Sequence, residues 1–184
     1  MLYIMRHGKT DWNALKKLQG CTDIPLNDEG RAMAAEAAEE YRNISFDVCY
    51  CSPLIRARET AGIFLKEREI PIIYDDRLKE MGFGIFEGIE KAFSIPDCPV
   101  NQFFEHPEEY IVPVEGGESM DSLFERTGEF LREVVYPELE KGKNILIMGH
   151  GAMNSCIICQ VKYGSDRKRF WDEGIPNCRL IRIK

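Results

Sequence analysis

Short, nearly unbroken apolar runs alternate along the chain with stretches whose apolar residues recur every three or four positions. The runs are Leu2–Met5, Phe46–Cys51, Ile72–Tyr74, Asn144–Met148 and Cys178–Ile183, and their length and composition predict strands. The stretches between them predict helices. Asp28–Arg42 is Ala-rich and helix-favouring. Pro53–Arg68 follows Ser52, a residue suited to an N-cap, and places Pro53 at the first helical position. Met120–Glu140 follows Ser119 and shows the strongest helical spacing in the chain, with Pro137 expected to bend or shorten its end. Ala152–Tyr163 and Asp166–Trp171 are shorter helices. Strands alternating with helices predict the α/β class with a mostly parallel sheet. The last strand follows soon after Trp171 and is expected at or near an edge, antiparallel.

One stretch breaks the alternation. Residues 88–117 carry Pro96, Pro99, Pro107 and Pro113 with aromatics between them. They read as a cap inserted into a single domain spanning 1–184, not as a second domain. The stretch is acidic: Glu90, Asp97, Glu105, Glu108, Glu109 and Glu115 face one base, Lys91.

Composition narrows the function classes. The 184 residues include 31 acidic and 24 basic ones, a formal net charge of −7. That disfavours partners such as nucleic acid or an anionic membrane surface, which need basic faces. The longest uncharged run, 145–161, contains His150, Asn154, Gln160 and two glycines, so it predicts a buried strand and helix instead of a membrane span. The start of the chain shows no basic and long apolar leader pattern, and a cytoplasmic setting is expected. Seven scattered cysteines fit the same setting. Cys156 and Cys159 form a C-x-x-C within an apolar helical run. We read them as buried reduced thiols; a redox pair lacks a thioredoxin-like surround, and a zinc site lacks its second half.

The chemistry collects at strand ends. Ile4-Met5-Arg6-His7-Gly8 resembles Ile147-Met148-Gly149-His150-Gly151: each is an apolar strand ending in His-Gly. In open parallel sheets ligands bind outside the carboxyl ends of the strands, so both histidines are expected at one edge of the sheet. The glycine after each lets the backbone turn and a ligand approach. A third strand, Phe46–Cys51, runs into Ser52-Pro53-Leu54-Ile55-Arg56, which puts Arg56 in the first helical turn. A cation there opposes the helix dipole unless an anion is bound. With Arg6 it makes a pair of forked donors matched to phosphate oxygens.

Two histidines and two arginines suit phosphoryl transfer without a metal. A neutral imidazole can attack phosphorus and divide one displacement into two, while the second imidazole and the arginines hold charge on the equatorial oxygens. Glu80, in the Gly-rich stretch after Ile72–Tyr74, is placed to protonate the leaving oxygen. A metal hydrolase is the rival reading. It lacks ligand spacing: His106 sits in a His-Pro loop read as surface, and Asp75-Asp76 reads as a turn.

These residues resemble the histidine phosphatase superfamily, also called phosphoglycerate mutase-like. Arg6-His7-Gly8-Lys9-Thr10-Asp11-Trp12-Asn13 matches its R-H-G-x-T-x-W-N signature. The match continues through Gln19-Gly20, Asp23 with Pro25-Leu26, Ser52-Pro53-Leu54-x-Arg56-Ala57-x-x-Thr60-Ala61, and Glu80 with Phe83-Gly84 and Glu87-Gly88. It ends with Gly116-Gly117-Glu118-Ser119 and His150-Gly151. The resemblance covers nearly the whole chain in order. It implies a three-layer α/β/α sandwich with a mixed, mostly parallel sheet. It also implies that His7 is the phosphorylated nucleophile, His150 its partner, Arg6 and Arg56 phosphate ligands and Glu80 the proton donor. Asn13, Gln19, Gly20 and Gly151 become substrate contacts, with no metal and no cofactor.

Departures from the family bear on the activity. Its cofactor-dependent mutases carry E-R-x-Y-G after the acid, where this chain has Glu80-Met81-Gly82-Phe83-Gly84. They also carry basic residues in the cap, where this cap is acidic and is expected to repel a second phosphate. The expectation is therefore a phosphatase acting on a small phosphorylated metabolite. The cap aromatics Phe83, Phe86, Phe93, Phe103, Phe104 and Tyr110 suggest an uncharged or partly apolar alcohol, unless they only pack the cap. A phosphoglycerate mutase and a non-catalytic phospho-ligand binder on the same fold are the alternatives. The oligomeric state is left open.

Overall fold

The structure, a computed structural model, describes residues 1–111 and 113–184, with Phe93 through its backbone alone. Its strands are β1 (Leu2–Arg6), β2 (Val48–Cys51), β3 (Ile72–Tyr74), β4 (Ile145–Gly149) and β5 (Leu180–Arg182). Its α-helices are α1 (Asp11–Ala14), α2 (Asp28–Glu40), α3 (Ile55–Phe64), α4 (Val100–Glu105), α5 (Met120–Phe130), α6 (Tyr136–Glu140) and α7 (Gly151–Tyr163). The strands make one sheet in the order β3-β2-β4-β1-β5. β1 to β4 are parallel to their neighbours, and β5 runs antiparallel to β1 at the edge, as expected.

Alternation along the central strands divides the core into two layers. Tyr3, Met5, Cys49, Cys51, Leu146 and Met148 face α2 and α3, where Ala34, Ala37, Ala57 and Ala61 allow close approach. Leu2, Ile4, Val48, Tyr50, Ile145 and Ile147 face the other way, against Met120, Leu123 and Phe130 of α5 and Met153, Cys156 and Ile157 of α7. Strands buried on both faces read as continuous apolar runs, which is why no period-two pattern marks them in the sequence. Each fully buried aliphatic side chain contributes roughly 1.5–3 kcal/mol of transfer free energy. The result is an α/β/α sandwich with a mixed sheet.

Several boundaries depart from the sequence reading. The helix expected from Pro53 starts at Ile55, and Ser52 does not cap it. Instead the Asp23 carboxylate accepts from the Ile55 N–H at 2.7 Å, a cap supplied from a distant loop. The Met120–Glu140 segment is α5, a π-helical stretch over Leu131–Val135, and then α6. Pro137 has no N–H to donate, and the wider turn just before it fits that missing bond. The expected helix Asp166–Trp171 is a 3₁₀ turn at Arg167–Arg169, with Asp166 accepting from the Lys168 N–H. Helix α1 was not expected; four residues are too few to show a period. Thr10 and Asn13 hold it as a reciprocal capping box.

Among the described residues no helix is long and apolar enough to cross a membrane. All seven cysteines are free, and six of them are buried. The Cys156 thiol pairs with the Thr127 hydroxyl at 3.2 Å, and Cys159 donates to the Asp166 carbonyl. Burial pushes Cys51 and Cys156 up to about 12 and Cys159 to about 11, which favours the inert thiol form.

Candidate active site

β1 and β4 are hydrogen-bonded neighbours with Arg6 opposite Gly149, and the ladder continues as the His7 N–H donates to the Gly149 carbonyl at 3.0 Å. Both His-Gly steps therefore leave the sheet side by side. The His7 and His150 rings lie 5.2 Å apart between centroids, tilted by 58°.

A hydrogen bond fixes the roles of the two His7 ring nitrogens. Nδ1 of His7 lies 2.6 Å from the Gly8 carbonyl oxygen. A carbonyl only accepts, so Nδ1 carries the proton and Nε2 keeps a free electron pair. Nε2 of His150 lies 2.7 Å from Ser52 Oγ, and that oxygen also accepts from the Leu54 N–H. The hydroxyl proton can then go to Nε2, leaving the ring proton on Nδ1, which is buried with no partner among the described residues. Asn177 donates to the His7 carbonyl at 2.6 Å and steadies the strand end. Gly8 is required by packing: a Cβ there would stand 2.4 Å from the Gly30 carbonyl oxygen. Its N–H donates to Thr60 Oγ1, which itself donates to the Arg56 carbonyl.

Arg56 is fully buried in the first turn of α3 and donates to the Gly20 and Thr22 carbonyls at 2.7 and 2.9 Å. Arg6 donates to the Ile175 carbonyl at 3.2 Å. The Nε atoms of both arginines are buried without a partner, and neither forms an ion pair among the described residues. Burial lowers the pKa of both guanidiniums, with Glu80 acting in the opposite direction. A buried and a half-buried guanidinium with spare donors favour an anion strongly.

Glu80 is buried beside them. Oε1 accepts from the Met81 and Met153 N–H groups at 2.9 Å each, and Oε2 accepts from the Ala152 N–H at 3.2 Å. Two of these amides are in the first turn of α7, where the dipole favours a carboxyl. The loop carrying Glu80 is clamped from behind by Arg126, which donates to the Arg77, Lys79 and Glu80 carbonyls and pairs with Glu118.

These groups open onto a cavity of about 690 Å³. Arg6, His7, Asn13, Gln19, Gly20, Arg56, Glu80 and Gly151 all line it, whereas His150 stands behind the lining. Thr10 organises the rim: it donates to Gln19 Oε1 at 2.9 Å, and its backbone N–H donates to Asn13 Oδ1. Gly20 has φ +52°, and a Cβ would fall 1.9 Å from Glu87 Oε1. Glu87 accepts from the Cys21, Thr22 and Phe83 N–H groups and so ties the two loops together.

The argument from an acidic cap does not hold at the cavity. Of the six cap acids only Glu105 lines it, while Lys16 and Lys17 line it too, from the turn after α1. Neither lysine has an ion pair among the described residues, and Lys17 sits over the Trp12 ring. Sequence reasoning did not reach these lysines, Ser52 as a partner of His150, Asn177, Arg126 or Trp171. Ser52 stands within the matched motif, but its place before Pro53 reads locally as a helix cap. His106 stands with Glu108 and Glu109 on the cap, outside the cavity lining.

Burial, then the Arg56 charge, pushes both histidines well below the usual imidazole range. Both are therefore neutral at pH 7 and stay neutral as pH falls through 6.5. The unfolded chain takes up those protons near 6.5, so below that pH it binds more protons than the fold and stability declines as pH drops. The Cε1 proton shifts of His7 and His150 are expected to stay flat between pH 8 and 6. A midpoint between 6 and 7 for His7 would remove the pre-formed neutral nucleophile.

Comparison with known proteins agrees with this geometry. The family model described as "Histidine phosphatase superfamily (branch 1)" matches residues 2–184. The chain is 34% identical over 180 residues to the uncharacterised phosphatase PhoE of Bacillus subtilis, covering 97% of this chain and 82% of the relative. It is 30% identical over 166 residues to 2,3-bisphosphoglycerate-dependent phosphoglycerate mutase 2 of Gloeobacter violaceus, covering 89% and 76%. A mycobacterial glucosyl-3-phosphoglycerate phosphatase superposes with TM-score 0.84 at 25% identity, covering 97% and 88% of the two chains. With the histidines paired at adjoining strand ends, this places the chain in a family: it belongs to branch 1 of the histidine phosphatase superfamily.

Proposed function

We propose that this protein is a phosphatase that hydrolyses a small phosphomonoester through a phosphohistidine on His7. A phosphoryl group enters between the spare donors of Arg6, Arg56 and His150. Nε2 of His7 attacks phosphorus, the ester P–O bond breaks, and its electron pair leaves on the alcohol oxygen. Glu80 supplies the proton. Oε2 holds fewer amide bonds than Oε1, so it is the oxygen free to carry that proton. The resulting carboxylate then takes a proton from water as the water oxygen attacks phosphorus. The P–N bond breaks, its pair returns to Nε2, and inorganic phosphate forms.

The observation that carries this reading is the His7 Nδ1–Gly8 hydrogen bond, which leaves the Nε2 lone pair free in a residue that lines the cavity together with Arg6 and Arg56. The step is written without a metal: the guanidiniums of Arg6 and Arg56 supply the positive charge that the equatorial phosphoryl oxygens need. Free thiols and a formal net charge of −7 support a cytoplasmic metabolite as substrate. The test is a phosphatase screen in chelator across phosphorylated metabolites, run alongside conversion of 3- to 2-phosphoglycerate with and without bisphosphoglycerate. Phosphate release is expected with little isomerisation.

Mutase activity is the second reading, favoured by Lys16 and Lys17 on the cavity wall, which form no ion pair among the described residues and could receive a second anionic group. Bisphosphoglycerate-dependent isomerisation faster than phosphate release would decide for it. A purely binding role would require tight phosphate binding with no turnover at all.

A further inference from the structure

The cavity extends well past the groups that hold a phosphoryl unit. At about 690 Å³ it falls in the range that encloses ligands of drug-like size, roughly 300–1,000 Å³. A three-carbon ester would leave most of it empty.

The wall beyond the catalytic groups is largely aromatic, formed by Phe83, Phe103, Phe104 and Trp171. Phe83 and Phe104 lie 24° from parallel with centroids 6.1 Å apart, and Phe104 and Trp171 lie 21° from parallel at 5.8 Å. The three rings make one layer of similar orientation. Phe103 stands edge-on to Phe104 and Trp171 at 5.1 and 5.2 Å and braces that layer. The indole Nε1 of Trp171 donates to the Phe103 carbonyl at 3.1 Å. Its one polar atom is thus engaged with the cap backbone.

Cap packing explains some of these aromatics. Phe103 has no exposure, and Tyr110 is buried with its hydroxyl accepting from the Val114 N–H. Phe86 packs on the core, and the Phe93 side chain lies outside the described residues. Phe104 and Trp171, from distant parts of the chain, pack partly on the core and are half-buried, and they also line the cavity. The rest of the wall carries the polar Lys16, Lys17, Asn101 and Glu105 beside Leu18 and Ala152.

We propose that the aromatic layer is the leaving-group subsite, and that the substrate is the phosphomonoester of a polar alcohol bearing an aromatic ring. The ring packs against the Phe104 and Trp171 side chains that line the cavity while the phosphoryl group reaches Arg6, His7 and Arg56. For its chemistry this rests on the phosphatase reading; for binding it stands alone.

Calorimetric titration with non-hydrolysable phosphonates separates the two. Benzylphosphonate is expected to bind about tenfold tighter than ethylphosphonate, and tighter than cyclohexylmethylphosphonate, because stacking adds to apolar burial. Phe104→Ala and Trp171→Ala should each bring the benzyl-to-ethyl ratio towards one, and Trp171→Phe should keep part of it. Equal binding of benzyl- and ethylphosphonate would overturn the subsite. So would equal binding of the benzyl and cyclohexylmethyl compounds, or tighter binding of phosphonoacetate, which would make Lys16 and Lys17 the determinant. If the ratio holds but benzyl phosphate is not hydrolysed, the subsite stands and the phosphatase reading falls. If phosphate esters are hydrolysed and the ratio is one, the reverse follows.

Discussion

His7→Ala is expected to lower phosphate release from every phosphomonoester by on the order of 10⁵-fold, the scale seen when a nucleophile is removed. Arg6, Arg56 and His150 remain in this variant, so inorganic phosphate should still bind. The loss therefore falls on kcat more than on affinity. His7 is nearly buried, at 2% exposure, and its Nδ1 bond to Gly8 is local, so the fold should survive. Circular dichroism and a phosphate-binding titration check this beside the rate assay. A variant that keeps a tenth of the wild-type rate would show that another group attacks phosphorus.

The second large effect is expected at Glu80. In Glu80→Gln, kcat/KM for alkyl phosphates should fall by about 10²–10⁴-fold, the usual worth of a positioned acid. For p-nitrophenyl phosphate the same ratio should fall less than tenfold, because nitrophenolate leaves without a proton. kcat/KM reports the first, phosphorylating step, so the comparison isolates the acid role from the later activation of water. The amide can still accept from Met81 and Met153 but cannot accept from both ends as the carboxyl does, which leaves the Ala152 N–H unpaired. That costs about 1–3 kcal/mol of stability, and a denaturation midpoint will register it. Equal losses with both leaving groups would assign Glu80 to holding the α7 terminus and not to proton transfer.

Sequence reasoning reached the site where the information was local. His7 and His150 each ended an apolar strand with glycine next, and the strand rule alone brought them to one sheet edge. Arg56 was found because a cation at a helix start is out of place there. Glu80 was found as a carboxyl in a Gly-rich loop, although its three amide donors could not be seen. What escaped depended on contacts far apart in the chain. Ser52 meets His150 only because β2 and β4 pair in register. Asp23 caps α3 from another loop, so the local cap residue was misassigned. Lys16 reaches the cavity through a left-handed turn residue, φ 53°, that a lysine rarely adopts. Counting charges over the cap does not show that, of its six acids, Glu105 alone lines the cavity. Trp171 read as the end of a helix, and its meeting with Phe104 follows from packing that no periodicity encodes.

The central claim is that the phosphoryl group visits His7 between leaving the ester and reaching water. Stereochemistry at phosphorus tests it most directly, using an isotopically chiral thiophosphate ester hydrolysed in labelled water. Two successive in-line displacements predict net retention of configuration. Inversion would mean that water attacks the ester itself, and would contradict the covalent role assigned to His7.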